Sequence, residues 1–289
     1  MPNSATLVQA LLAAFCAILC ALSGMGGGSM MLGARTAAWA KSGGGWVNPY
    51  VTDGLVAMWD GEWNAGGGVH DPNATVWKDL ANNGFDVRTD FNEYTTGVFS
   101  EDALVTDRYC AAYGNDPLPY NENGSISVCL EFPDYLPDDF QSACFLGGGR
   151  KLNYSQNACI IFNWRQYNRC GATFSNPDCT LYNITKFGSF VLPKKMTITS
   201  SSRSLSINSE DFSSYETSTA SGFVGASFKG ITFGCFPVAG YVDDIPSNKI
   251  SNYLPKGTKI HRVSVFSRLL SDAEKSLIFS IDNSRFNMT

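Results

Sequence analysis

The feature that most constrains this chain is its punctuation. From Gly54 onward, short runs rich in β-branched and aromatic residues recur between clusters of Gly, Pro, Asn and Asp. "GLVAMWD" (Gly54–Asp60), "SISVCLEF" (Ser125–Phe132), "ACFLGG" (Ala143–Gly148) and "ACIIFNWR" (Ala158–Arg165) open the series. "SFVLPKKMTITSS" (Ser189–Ser201), "SLSINSEDF" (Ser204–Phe212), "GITFGCF" (Gly230–Phe236) and "KIHRVSVFSR" (Lys259–Arg268) continue it. Several alternate with period two, as in Ile126, Val128 and Leu130, or Val263 and Val265, which sends the apolar side chains to one face of a strand. Only "SDAEKSLIFSIDNSRF" reads as a helix: Ser271 and Glu274 have capping-box spacing, and Leu277, Ile278 and Ile281 supply an apolar stripe. Many short strands with one helix predict an all-β chain, a two-sheet antiparallel jelly-roll sandwich with a short C-terminal helix.

Ahead of this domain lies a segment of another kind. Residues 1–34 carry no charged side chain, and "ATLVQALLAAFCAILCALS" (Ala5–Ser23) is predicted to be an apolar helix. At ~1.5 Å per residue it is just long enough to cross a bilayer core of ~30 Å. Ala13, Ala17 and Ala21 form a small-xxx-small ridge suited to close helix pairing. Three readings stand side by side: a signal peptide without a basic n-region, a retained membrane anchor, or an oligomerisation helix buried in an assembly. Residues 35–48 form a Gly-rich linker, and residues 49–289 the β-domain.

The 289 residues carry a formal charge of −5, and Lys and Arg are not clustered, so there is no electrostatic footprint for nucleic acid. Nine cysteines without a C-x-x-C pair, and two histidines, argue against a zinc site. Cys170 and Cys179, in a polar segment, are the best candidates for a disulfide.

Two stretches resemble a known family. "GLVAMWDGEWNAGGGVHDPNATVWKDLANNGFDV" resembles the opening of laminin-G-like, concanavalin A-like jelly-roll domains of the bacterial and phage type. "KIHRVSVFSRLLSDAEKSLIFSIDNSRF" looks like the last strand, arginine and terminal helix of that family. In "KKMTITSSSRSLSINSEDF" Asn208 stands where the family turns, with Ser209 in place of its usual glycine. The resemblance implies two curved sheets with a concave face, and binding or adhesion more often than catalysis.

Catalytic patterns are missing. A glycoside hydrolase on this scaffold needs two carboxylates flanking the bond, and alternate residues of a strand would present them. The acidic clusters Glu210, Asp211, Glu216 and Asp134, Asp138, Asp139 have loop composition instead. His70 sits in a glycine-rich turn without a G-x-S-x-G elbow, and His261 alternates with Val263 and Val265 as a packed residue. The runs Gly66–Gly68 and Gly147–Gly149 lack the Lys-Ser/Thr of a phosphate loop. The expectation is that the chain is not an enzyme.

Binding chemistry is better represented. "FNWRQYNR" (Phe162–Arg169) combines an aromatic with polar neighbours, so Trp164, Arg165, Tyr167 and Asn168 are candidate ligand-binding residues for a sugar. Calcium, if any is bound, would use the loop carboxylates Asp60, Asp71, Asp243 and Asp244, although Asp at such positions also shapes turns. An EF-hand is excluded, because Ala81 would occupy a ligand position. In "ATVWKDLANNGFDV" Trp77 is read as a core anchor, Asp79 as a turn-shaping acid, and Asn83-Gly84 as the pair with positive φ. The functional expectation is a binding or adhesion module for glycan or a protein partner, secreted or cell-surface anchored. Its alternative is a virion or fibre component, with residues 5–23 making membrane contact or a homo-oligomer.

Overall fold

The computed structural model describes residues 47–90, 93, 95–107, 111–114, 124–134, 142–144, 146–148, 161–163, 169–175, 181–187, 193–201, 204–211, 217–220, 231–234, 236–237, 250–251 and 254–288, all within the compact unit Gly43–Thr289. The expected apolar helix at residues 5–23 lies outside them. Among the described residues no helix is long and apolar enough to cross a membrane.

The domain is mostly β, with two antiparallel sheets on one core and a C-terminal helix. The larger sheet has eight strands in the order β15 (Glu210–Asp211), β14 (Leu205–Ile207), β13 (Lys195–Ser201), β7 (Ser125–Glu131), β20 (Lys259–Phe266), β5 (Leu104–Val105) and β4 (Val98–Phe99), with β1 (Leu55–Asp60) also on β20. The second runs β2 (Val76–Trp77), β3 (Val87–Arg88), β6 (Ala112–Gly114), β17 (Ile231–Phe233) and β9 (Leu146–Gly148). Smaller ladders join β8 (Ser142–Cys144) to β10 (Ile161–Asn163), β18 (Phe236–Pro237) to β19 (Ile250–Ser251), and β11 (Arg169–Ser175) to β12 (Leu181–Phe187) and β16 (Thr217–Ala220). The predicted strands appear, most of them shorter than the apolar runs. β11 forms where the sequence was read as a polar segment. It pairs with β12 along seven registered positions, Arg169↔Phe187 to Ser175↔Leu181.

Period two decides what each side of the large sheet holds. Its inner face presents Ala57, Trp59, Ile126, Val128, Leu130, Met196, Ile198, Ile260, Val263 and Val265, all buried with Trp77, Val87 and Phe233 of the second sheet. Trp59 meets Phe233 edge-on at 5.0 Å, and Trp77 lies 5.5 Å from the same ring. Each buried side chain of this size contributes about 1.5–3 kcal/mol. Trp77, as expected, is a core anchor, and its indole N–H donates to Asp60 O at 2.9 Å.

The outer face is covered by helix α1 (Asp272–Phe286). Ser271 caps it, and the reciprocal bonds of the capping box with Glu274 are both present. The buried positions are Ile278, Asp282 and Phe286, spaced i, i+4, i+8, whereas Leu277 of the expected stripe is 49% exposed. A carboxylate therefore sits in the middle of the packing seam. In β20 the register shifts between Ile260 and Arg262. That bulge takes His261 out of phase with Val263 and Val265 and stacks it on Phe286, with ring centroids 4.5 Å apart. His261 is a packed histidine, but it belongs to the helix side of the sheet.

Candidate functional site

Two neighbouring turns at one end of the domain enclose an open polar cleft. The first follows β1. Gly66, Gly67 and Gly68 adopt φ of +85°, +60° and +79°, a conformation that L side chains resist. Asn64, fully buried, holds this loop closed: its side chain donates to Asp71 O at 2.7 Å and accepts from Asp71 N–H at 2.8 Å. The Asn64 carbonyl also accepts from Lys78 N–H at 2.9 Å, which ties the loop to the second turn.

The second turn, between β2 and β3, is organised by Asp79. Its Oδ1 accepts from the backbone of Met58 and Ala81 at 3.0 and 2.9 Å, and its Oδ2 from Asn83 at 3.0 Å and Phe85 at 3.4 Å. Four backbone donors on one carboxylate confirm the turn-shaping role read from the sequence. The positive φ angles fall on Asn82 (+59°) and Gly84 (+87°), not on Asn83. Asn83 instead spends its side-chain amide on Val56 O at 2.8 Å, which anchors the turn to β1.

Between these turns lies a cleft of about 690 Å³, lined by Gly66, Gly67, Lys78, Asn82, Gly84 and Asp86 together with Ala65, Asp79 and Leu80. Lys78 Nζ donates to Asp86 Oδ2 at 2.6 Å, and the two side chains are 48% and 37% exposed. Asp86 Oδ1 accepts from Asp79 N–H at 2.9 Å. Among the described residues, the N–H groups of Gly67 and Gly84 and the side-chain amide of Asn82 have no hydrogen-bond partner. The lining thus offers an ammonium beside a carboxylate, with unengaged donors around them. An exposed pair of this kind adds at most about 1 kcal/mol to folding, so a ligand can share it at little cost.

The second polar constellation lies under α1 and is closed. Arg262, with no exposure, donates to both oxygens of Asp282 at 2.9 and 2.7 Å, to Ser264 Oγ at 2.8 Å and to Ser127 Oγ at 3.0 Å. Asp282 also accepts from Tyr50 and Thr197 hydroxyls, each at 2.8 Å. Arg285 makes a bidentate pair with Asp60 at 2.6 and 2.8 Å, reaches Glu62 at 2.7 Å, and lies 3.8 Å over the Trp63 ring. Burial, reinforced by the Asp282 charge, pushes the Tyr50 phenol well above its usual range. Burial likewise lowers the His261 imidazole. Every partner here is another protein group, so the constellation is an architectural joint.

The candidate residues named from sequence have separate fates. Asp60, fully buried, holds the Arg285 guanidinium with both of its oxygens. Asp71 Oδ1 accepts from Asn73 N–H at 2.9 Å, the turn-forming use of an Asp. Trp164, Arg165, Tyr167, Asn168, Asp243 and Asp244 lie outside the described residues, as do Cys179 and the side chain of Cys170. Among the described residues, no three His, Cys, Asp or Glu side chains group in a way that could hold a metal ion. The cleft was missed as a site. Its one sequence signal was the pairing of two glycine-bearing turns around Trp77.

No protein-family model matches the chain, and no curated protein sequence does. Solved structures do. Trypanosoma rangeli sialidase in complex with 2,3-difluorosialic acid, a covalent intermediate, is similar with TM-score 0.50 and 16% identity over 85% of this chain and 35% of that one. The same sialidase with sialic acid gives 0.48 and 15%, over 83% and 35%. The botulinum neurotoxin type G receptor-binding domain gives 0.47 and 13%, over 79% and 51%. The chain spans about a third of the length of the sialidases it matches. At 16% identity and TM-score 0.50, the likeness to the sialidase with its covalent intermediate speaks for a shared β-sandwich fold alone. It does overturn one expectation. The fold occurs within a chain that is a sialidase, so the missing catalytic patterns do not support reading this chain as something other than an enzyme.

Proposed function

We propose that residues 49–289 form a laminin-G-like jelly-roll domain that binds a saccharide in the cleft between the Gly66–Gly68 loop and the Asn82–Gly84 turn. The N-terminal apolar segment and its linker hold this domain at a cell or particle surface. The observation that carries the reading is the Lys78–Asp86 pair in an open cleft rimmed by unengaged donors. Adjacent hydroxyls of a sugar ring need one donor and one acceptor side by side: the ammonium donates to one hydroxyl oxygen, and the carboxylate accepts from the next. Asn82 and the glycine N–H groups then address further oxygens.

The test is a panel of neutral and sialylated oligosaccharides, followed by calorimetry on whichever binds. Asp86→Asn combined with Asn82→Ala is expected to weaken binding at least tenfold, since a hydrogen bond to a charged group is worth about 1.5–3 kcal/mol. Far-ultraviolet circular dichroism should stay unchanged. A panel without binders, or binding that survives these changes while Trp164→Ala abolishes it, sinks the assignment to this cleft.

A further inference from the structure

We infer that Asn73 is an acceptor for an N-linked glycan, an inference that rests on the surface-displayed, secreted reading of the chain. Five Asn-x-Ser/Thr triplets occur, beginning at Asn73, Asn123, Asn153, Asn183 and Asn287. The triplet alone says little, because the pattern arises often by chance and a glycan is tolerated only on a surface loop. The fold discriminates between them.

The triplet at Asn123 ends on Ser125, which is 1% exposed and whose Oγ accepts from Leu270 N–H at 3.1 Å. Asn183 is mid-strand in β12, registered against Thr173 on one side and Ser218 on the other. Asn287 closes α1 with φ +52°, and the next residue, Met288, is 5% exposed in a cluster with Cys129 and Phe286. Asn153 lies outside the described residues. Asn73-Ala74-Thr75 is different. Pro72, Asn73 and Thr75 are exposed in a turn between the glycine loop and β2. Asp71 Oδ1 fixes the Asn73 backbone N–H at 2.9 Å. The Asn73 side-chain amide itself makes no hydrogen bond among the described residues, so nothing is lost when it is substituted.

In the transfer, Asn73 Nδ2 forms a bond to C1 of the first sugar of a lipid-pyrophosphate-linked oligosaccharide. The C1–O bond of that donor breaks, Nδ2 gives up one proton, and the lipid pyrophosphate leaves with the bonding pair. The anomeric carbon exchanges oxygen for nitrogen, and no oxidant is needed. Asp71, bonded through its backbone to Asn64 beside the glycine loop, sets this glycan on the same pair of turns that frames the cleft.

The test expresses the full chain in a eukaryotic secretory host, with and without an added cleavable leader, and maps occupancy by peptide mass spectrometry before and after peptide-N-glycosidase. The expected result is a glycan on the Asn73 peptide in the secreted chain, lost in both Asn73→Gln and Thr75→Val while secretion continues. Occupancy with the added leader only sustains the acceptor site and sinks the secreted reading on which the inference rests. A leader-bearing chain that is secreted with Asn73 bare overturns the inference itself.

Discussion

The two faces of the eight-stranded sheet are both buried, yet they are built on different physics. The inner face is apolar apart from the buried Ser200, and it packs Trp59, Ile126, Val128 and Val263 against the second sheet. The outer face carries Ser127, Thr197, Arg262 and Ser264 beneath α1, and its central contact is the Arg262–Asp282 pair. Apolar burial is non-directional and forgives small changes of shape. A buried ion pair does not: the desolvation of both charges is offset only while every donor and acceptor is met. On this physics the inner face is expected to supply more of the stability, and the outer face to specify where the helix sits.

Breaking one partner of the outer pair gives the largest expected effect. Asp282→Ala leaves the Arg262 guanidinium buried without a counter-charge, and urea unfolding should show a loss of about 3–5 kcal/mol. The double variant Arg262→Met with Asp282→Leu should recover most of that loss, because the charge to be desolvated has gone. Equal losses in single and double variants would mean that the outer face behaves like the inner one.

A shape change on the inner face should cost less. Ile198→Val removes one methylene from a packed site, and the expected loss is about 0.5–1.5 kcal/mol by the same denaturation. A loss as large as that of Asp282→Ala would erase the distinction between the faces.

The smallest effect is acid-dependent and sits at the end of α1. Arg268, bonded to both oxygens of Glu274 at 3.0 and 2.6 Å, with the Ser271 cap, holds the Glu274 carboxyl at about 2. The folded value is below the unfolded one, so the contribution is complete above pH ~4.3 and fades as pH falls towards 2. Partial exposure limits it to at most about 1 kcal/mol. Glu274→Gln should lower stability at pH 7 by at most about 1 kcal/mol and flatten its fall with pH within that window. A slope identical in both proteins would show that the acid sensitivity arises elsewhere.

Much of the fold was legible because its signals are local. β7 and β20 announce themselves by period two, α1 by Ser271 and Glu274, and the β2–β3 turn by Asp79 and its glycine. Ser209 takes φ +62° after Asn208 at +50°, so the turn keeps its shape without the glycine that usually serves there. The same local reading failed where the partner is distant. Leu277 was assigned to the helix stripe, yet Asp282 is the residue that faces the sheet. His261 was counted in phase with Val263, and only the β20 bulge moved it to the other side. In the cleft, Asp79 could be read as a turn former. The approach of Gly66 and Gly67 to Lys78 and Asp86 could not, because a backbone bond from Lys78 to Asn64 brings the two turns together.

Period two, turn chemistry and helix caps operate within about ten residues, so the sequence alone determined the strands, the helix and the class of fold. Whether a polar strand face meets water or a helix is not written in that range. Arg262 with Asp282, and Asp60 with Arg285 across 225 positions, look like ordinary surface charges until α1 closes over them. Tertiary structure decided their partners, because the cost of a charge depends on what covers it.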